Sequence, residues 1–581
     1  MLLFTVICVL FLLVAAHTCC LPLQSRDGDP TNLLFPGGSI RGLVAGSGAA
    51  HRFTLPTAQP PVGVLRFASP QPVKLDKLVS AANGKTFDAS ALPPACIQGT
   101  NGPIGGADKQ SEDCLYATFY KPAKAKMGDN LPILVWVHGG SGLSGSSTAA
   151  GLDGSKLASS QNAIVVFVQY RLGAFGWLQT TATFDEKDPQ AGQQGSSKLA
   201  GNQAVRDVVA ALQQIRNVGQ YLGGDVNKVT LMGQSSGAQL VRALLTTPAA
   251  EPLFSKAILV SDTQDYGPST IAQNSFLGDL TMKSLGCDVG DVACARSRTA
   301  DQVLDATFST YSNGPAQDGG VAAGTPWRPV IGTQYIPTAL EQNAAAGKGT
   351  TKPMIVSTVQ NEAGSITAAS WKATQPGATT LELAYGNQSV SFGEALDYIF
   401  NQARGNAAAV LPQYKYEVEQ SDALRRTFEQ AATDGLWRCA VQNNARKASS
   451  QVWVAEWAVG ATYPDNASRN YCVEDGHVCH EDDIFLIFGT MPGPPTTAQE
   501  TLSREIQTRF ANFARNSIPK GPTGAVDWTP IAADGKNLNL LVMQQGPGGK
   551  GLSSIAQSQS PTTCDSDIWG NKILFDWQMY S

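Results

Sequence analysis

Short apolar runs rich in strand-forming residues alternate with amphipathic stretches along most of the chain. The clearest runs are 133–137, 164–168, 229–232, 257–260, 354–357 and 452–457, and each reads as a strand. Between the second and third, Val205, Val208, Val209, Leu212 and Ile215 fall on one face of a 3.6-residue period, which predicts a helix. Gly223 and Gly224 are natural stops for it. Strands alternating with helices predict an α/β protein, with a mostly parallel central sheet flanked by helices on both faces. Two segments, about 310–350 and about 370–450, break the alternation and read as insertions. The second contains the helical stretches EALDYIFNQAR and DALRRTFEQAA. No internal repeat or long linker divides the chain, so one elaborated domain over 17–581 is expected rather than several.

Composition narrows the class. Of 581 residues 43% are apolar, enough for a large core, and only 15% are charged. The formal net charge of −5 gives no basic footprint for nucleic acid or an anionic membrane. The opening run, residues 1–16, is apolar but too short for a spanning helix. Val14 and Ala16 stand at −3 and −1 of a cleavage site before His17, so a signal peptide and secretion are expected, without stable membrane insertion. Beyond Cys8, Cys19 and Cys20, eight cysteines remain: Cys96, Cys114, Cys287, Cys294, Cys439, Cys472, Cys479 and Cys564. Eight cysteines allow 105 pairings. No metal-ligand spacing competes with disulfides in an oxidising compartment. Asn387 and Asn466 open N-x-S sequons, candidate glycosylation sites for a secreted chain.

The candidate chemistry begins where the run at 229–232 meets Gly233-Gln234-Ser235-Ser236-Gly237, the one G-x-S-x-G in the chain. A strand before it and a helix after it make a nucleophile elbow at Ser235, with the helix N-terminus aimed where an oxyanion would form. A serine hydroxyl needs a base, and histidine suits that task near neutral pH. The five histidines are His17, His51, His138, His477 and His480; the last two follow the final predicted strand, where a base belongs in the order serine, acid, histidine. Glu362, just past the strand at 354–357, is the acid candidate between them. His138-Gly139-Gly140-Ser141-Gly142 ends the strand at 133–137 with backbone N–H groups free to donate, as acyl transfer requires. The Lys-bearing phosphate-binding P-loop pattern is absent there.

These residues, together with PPVGVLRFASP, SEDCLY, VWVHGG, YRLGAFGWL, GNQAVRD, LFSKAILVS and HEDDIFLIFG, resemble the type-B carboxylesterase/cholinesterase-like family of α/β-hydrolases, its secreted fungal branch most of all. The resemblance runs from about residue 60 to the C-terminal region. It singles out His480, which keeps the family's eight-residue spacing to Phe488. It implies a triad of Ser235, Glu362 and His480, with Gly140, Ser141 and Ser236 supplying oxyanion N–H groups. It also implies Cys96–Cys114 and Cys287–Cys294 disulfides and the ion pairs Arg66–Glu112 and Arg171–Asp207, leaving Cys472–Cys479 and Cys439–Cys564 for the remaining cysteines. Three positions depart from the family pattern. Gln234 stands where a glutamate is usual, Ser141 replaces a glycine of the oxyanion loop, and the acid loop reads NEAG.

The implied activity is hydrolysis of carboxylic esters through an acyl-enzyme, with no cofactor and no metal, on a small-molecule or lipid ester. The 17 residues between Cys96 and Cys114 carry no aromatic side chain to bind a quaternary ammonium and little apolar surface for a lipid-facing flap. Soluble, short-to-medium esters are therefore expected. A lipase or sterol esterase acting on long-chain esters is the alternative enzyme, and a non-catalytic esterase-like binding protein the alternative of another class. Trp327, beside Ala323 and Gly324, lies near the family's acyl-pocket loop, although core packing is its simpler role.

Overall fold

A computed structural model describes residues 30–99, 109–185, 187–188, 190–317, 325–386, 388–400, 414, 419–474, 476–531, 539–544, 553–555 and 564. The signal-peptide expectation (1–16), the sequon at Asn387, and Ala323 and Gly324 lie outside these residues.

An eleven-stranded sheet organises the chain. Its strands are β1 (Leu43–Ala45), β2 (Ala50–Pro56), β3 (Tyr116–Pro122), β4 (Leu131–Val137), β5 (Ile164–Val168), β6 (Gly224–Gln234), β7 (Lys256–Val260), β8 (Met354–Val359), β9 (Val452–Trp457), β10 (Leu540–Met543) and β11 (Ser553–Ile555). Across the sheet they run β11-β10-β9-β8-β7-β6-β4-β5-β3-β2-β1. Strands β4 to β10 are mutually parallel; β1, β2, β3 and β11 join antiparallel at the two edges. Parallel strands need crossovers, and helices cover both faces, which is why the central strands are apolar at almost every position. Along β4, Ile133, Val135 and Val137 pack into one core and Leu134 and Trp136 into the other.

The first core takes the buried stripe of α1 (Gln203–Val218): Val205, Val208, Val209, Leu212 and Ile215. Arg171 holds this helix through Asp207, with Nε and Nη2 each 2.8 Å from a carboxylate oxygen. Both side chains are buried, so losing one partner would leave an uncompensated charge, at a cost of about 3–5 kcal/mol. Arg66 likewise grips Glu112 with two nitrogens, at 2.6 and 2.5 Å. The second core packs Trp136, Phe167, Trp453 and Phe488 against Ile506, Phe510 and Phe513 of the helix Thr497–Asn516.

The two insertions supply helices above the C-terminal ends of the strands. α2 (Ser236–Leu244) follows β6 directly. α3 (Ala300–Gln317) begins before residue 310, earlier than the sequence pattern placed the first insertion. In the second, helices cover Phe392–Phe400, Ala423–Thr433 (α4) and Cys439–Lys447, with a wide π-helical turn, Asp434–Arg438, between the last two. Disulfides join Cys96 to Cys114, Cys287 to Cys294, Cys439 to Cys564 and Cys472 to Cys479.

Candidate active site

At the end of β6, Ser235 adopts φ 54°, ψ −127°, a conformation that bulky residues avoid and that is found where a fold over-determines the backbone. Its N–H bonds Val260 O of the neighbouring strand at 2.9 Å. The flanking glycines are sterically required. A Cβ on Gly233 would stand 2.4 Å from Gly237 O, and one on Gly237 would stand 2.3 Å from Val137 O and 2.4 Å from His138 O. The pentapeptide is thus wedged between β4 and its own helix, and the start of α2 points at the space above Ser235.

The next wall comes from the end of β4. Gly140 and Ser141 both have positive φ, 108° and 57°, and among the described residues their N–H groups have no partner. Gly142 N–H donates to Ser236 Oγ at 3.2 Å, which ties this loop to the elbow. Gly140, Gly142 and Gly145 also spell G-x-G-x-x-G, but the run opens no helix, and Gly145 N–H is spent on Gln98 Oε1 at 2.9 Å. His138 is a structural residue here. It stacks on Tyr170 at 4.4 Å, and burial lowers its pKa to about 4.

Glu362 sits three residues past β8, buried, with Oε1 accepting Val359 N–H at 2.9 Å and Oε2 2.6 Å from His480 Nδ1. Burial works against a charged His480. The Glu362 hydrogen bond and the charges of Glu362, Asp483 and Asp465 outweigh it, so the pKa is held above the usual 6.5. His477 is elsewhere, stacked on Tyr471 at 4.4 Å with Nδ1 on Tyr471 O.

Side chains hold the two loops together. Asn361 N–H donates to Val478 O (2.9 Å), and Val478 N–H returns to Asn361 Oδ1 (3.1 Å). Asn361 Nδ2 and Thr433 Oγ1 donate to Glu429, whose pKa burial pushes up to about 7. Gly364, the glycine of NEAG, gives room to the Cys472–Cys479 disulfide, for its Cβ would lie 2.3 Å from Cys479 Sγ.

Asn466 corrects the sequence reading. It is fully buried, its Nδ2 donates to His480 O (2.8 Å) and Asp482 Oδ1 (2.9 Å), and its Oδ1 accepts from Ser365 Oγ (2.5 Å). A nitrogen so enclosed has no room for a glycan; the residue braces the histidine loop instead. Trp327 is buried in the first core, its carbonyl oxygen close beside Gly142.

Ser235, Gly140, Ser141, Glu362 and His480 line one cavity of about 780 Å³. Its apolar wall includes Leu304, Phe308 and Tyr311, a stripe at helical spacing on α3 that the sequence reading left unused, and Trp437 from the π-helical turn, 5.7 Å from the His480 ring. Asp465 and Glu481 form an acidic wall. Burial pushes Asp465 up to about 6 and Glu481 well above the carboxylate range, each also under the influence of the other.

Sheet order, elbow and helical cover define the fold class as α/β-hydrolase. Solved structures agree. A PNB esterase covers 92% of this chain and 98% of its own at TM-score 0.70 and 22% identity, and a thermophilic PNB esterase covers 92% and 100% at the same score and identity. The carboxylesterase family model matches residues 30–562; the chain belongs to that family and is a carboxylic ester hydrolase. Similar proteins include the medium-chain fatty acyl-CoA hydrolase precursor of Anas platyrhynchos (28% identical, 92% of this chain, 93% of the relative). Others are the crystal protein of Dictyostelium discoideum (28%, 89% and 88%) and carboxylesterase 1E of Rattus norvegicus (27%, 80% and 82%).

Proposed function

We propose that the protein is a secreted serine carboxylesterase in which Ser235 is the nucleophile, His480 the general base and then acid, and Glu362 the group that orients the ring and balances its charge. Ser235 Oγ attacks the ester carbonyl carbon as its proton passes to His480 Nε2. The carbonyl oxygen, now negative, is received by the N–H groups of Gly140, Ser141 and Ser236. Collapse of the adduct expels the alcohol, which takes the proton from Nε2 and leaves an acyl ester on Ser235. Water then attacks the same carbon through the same base, releasing the carboxylic acid and restoring the serine. The chemistry requires no cofactor. The observation that carries this assignment is the 2.6 Å contact between Glu362 and His480, residues 118 apart in sequence, on the cavity that Ser235 also lines.

Short-to-medium acyl chains suit the cavity. About 780 Å³ lies within the usual range of small-molecule sites, roughly 300–1,000 Å³, and Leu143, Leu304, Phe308 and Trp437 offer apolar contact. The name of the duck relative, a medium-chain hydrolase, points the same way. Four disulfides favour an oxidising compartment, and the Cys439–Cys564 bridge supports one domain spanning 17–581. Hydrolysis of p-nitrophenyl esters from acetate to palmitate by the wild type and Ser235→Ala is the test. A short-to-medium optimum abolished in the mutant is expected. An optimum at palmitate replaces the carboxylesterase assignment with a lipase, and activity that survives Ser235→Ala removes the nucleophile.

A further inference from the structure

Gln234 lies buried at the last position of β6, directly before Ser235. Its Nε2 is 3.1 Å from His480 Nε2. On the other side of the amide, Oε1 is buried with no hydrogen-bond partner among the described residues and lies 2.4 Å from where a Cβ on Gly139 would stand. The amide is therefore wedged between the imidazole and the oxyanion loop. Glu362 already accepts the Nδ1 proton, so in the neutral ring Nε2 carries the lone pair, and Gln234 donates to it. That lone pair is the one Ser235 requires. In this structure the group that meets Nε2 is the Gln234 amide.

We propose that Gln234 is a positioning residue for His480: its amide holds the ring by the nitrogen that must take the Ser235 proton, and, being uncharged, it keeps that ring neutral at a pH where a carboxylate in its place would have it protonated. Held in that orientation, the amide donates to the lone pair of the neutral ring and favours it over the imidazolium. A carboxylate can only accept, and would close the ring between two negative charges. The ring already faces Glu362 from the acid loop, Asp465 from the preceding segment, and Asp482 and Asp483 from its own loop, with the neutral Trp437 ring across from it. One more anion at this contact distance favours the imidazolium by about one to three pH units. The inference rests on His480 being the base.

The test is the pH profile of kcat/KM for p-nitrophenyl butyrate with wild type, Gln234→Glu and the uncharged, similarly shaped Gln234→Met. In Gln234→Glu the acid limb is expected to move up by about one to three units. In Gln234→Met, which loses the donor but adds no charge, the limb is expected to rise by less than in Gln234→Glu while kcat falls on the order of tenfold with KM unchanged, because the ring has lost its hold. An acid limb that does not move in Gln234→Glu overturns the proposal. So does wild-type kcat in Gln234→Met, which also decides the matter if the glutamate variant fails to fold. Hydrolysis by the wild type that survives His480→Ala would sink the triad itself, a result distinct from either.

Discussion

The turn that carries Ser235 is held by main chain against main chain. Gly233 and Gly237 meet carbonyl oxygens at distances no side chain tolerates, and β6 and α2 are contiguous in sequence. The loop that carries His480 is held by side chains from far away: Glu362, Asn361, Asn466, Glu429 and the Cys472–Cys479 bridge. Steric exclusion is indifferent to pH and intolerant of bulk. A hydrogen-bonded loop tolerates bulk better and responds to charge. The nucleophile should therefore fail by misfolding and the base by mistitration, and variants on the two sides can separate these failures.

The largest effect is expected from Glu362→Gln. The ring loses the acceptor that sets its tautomer, and kcat should fall by roughly 10³–10⁴-fold with the thermal unfolding midpoint nearly unchanged. Comparable loss of stability in that variant would erase the distinction between the two sides. Gly237→Ala tests the other side. Its Cβ collides with two β4 carbonyls, and unfolding should show a destabilisation of about 3 kcal/mol, or no folded protein. Asn466→Ala leaves His480 O and Asp482 short of a donor, which should cost about 1–3 kcal/mol in denaturant unfolding and lower kcat more than it raises KM. The smallest effect is the resting titration. His480 works as a neutral base and its pKa is raised, so kcat/KM should fall as pH drops through a midpoint above 6.5; a midpoint below 6 would mean that burial, not Glu362 and its neighbours, governs the ring.

Much of the fold was legible because its signals are local. The runs at 164–168 and 452–457 became β5 and β9 with the same bounds, and the stripe from Val205 to Ile215 became the buried face of α1. The run at 229–232 is the core of a longer strand: Gly224 already pairs Leu131, and an irregular stretch without an apolar pattern to announce it carries the chain on to Val229. The elbow was legible for the same reason: five residues specify it. Asn466 misled because a sequon is a three-residue pattern that says nothing of burial. Trp437 and Asp465 carried no motif, Glu481 sits inside HEDDIFLIFG without a role of its own being singled out, and the α3 stripe of Leu304, Phe308 and Tyr311 reads equally as core.

The order of residues alone determined the alternating strands and helices, the strand–serine–helix turn and the small set of histidines from which a base must come. Each is a consequence of periodicity or of backbone sterics between near neighbours. Only the tertiary structure decided which carboxylate meets which imidazole nitrogen, that Asn466 supports the histidine loop, and that Gln234 rests on Nε2. Those contacts join residues 14 to 246 positions apart. Their energies depend on burial, on neighbouring charge and on distances of a few tenths of an ångström, and no local pattern in the chain encodes them.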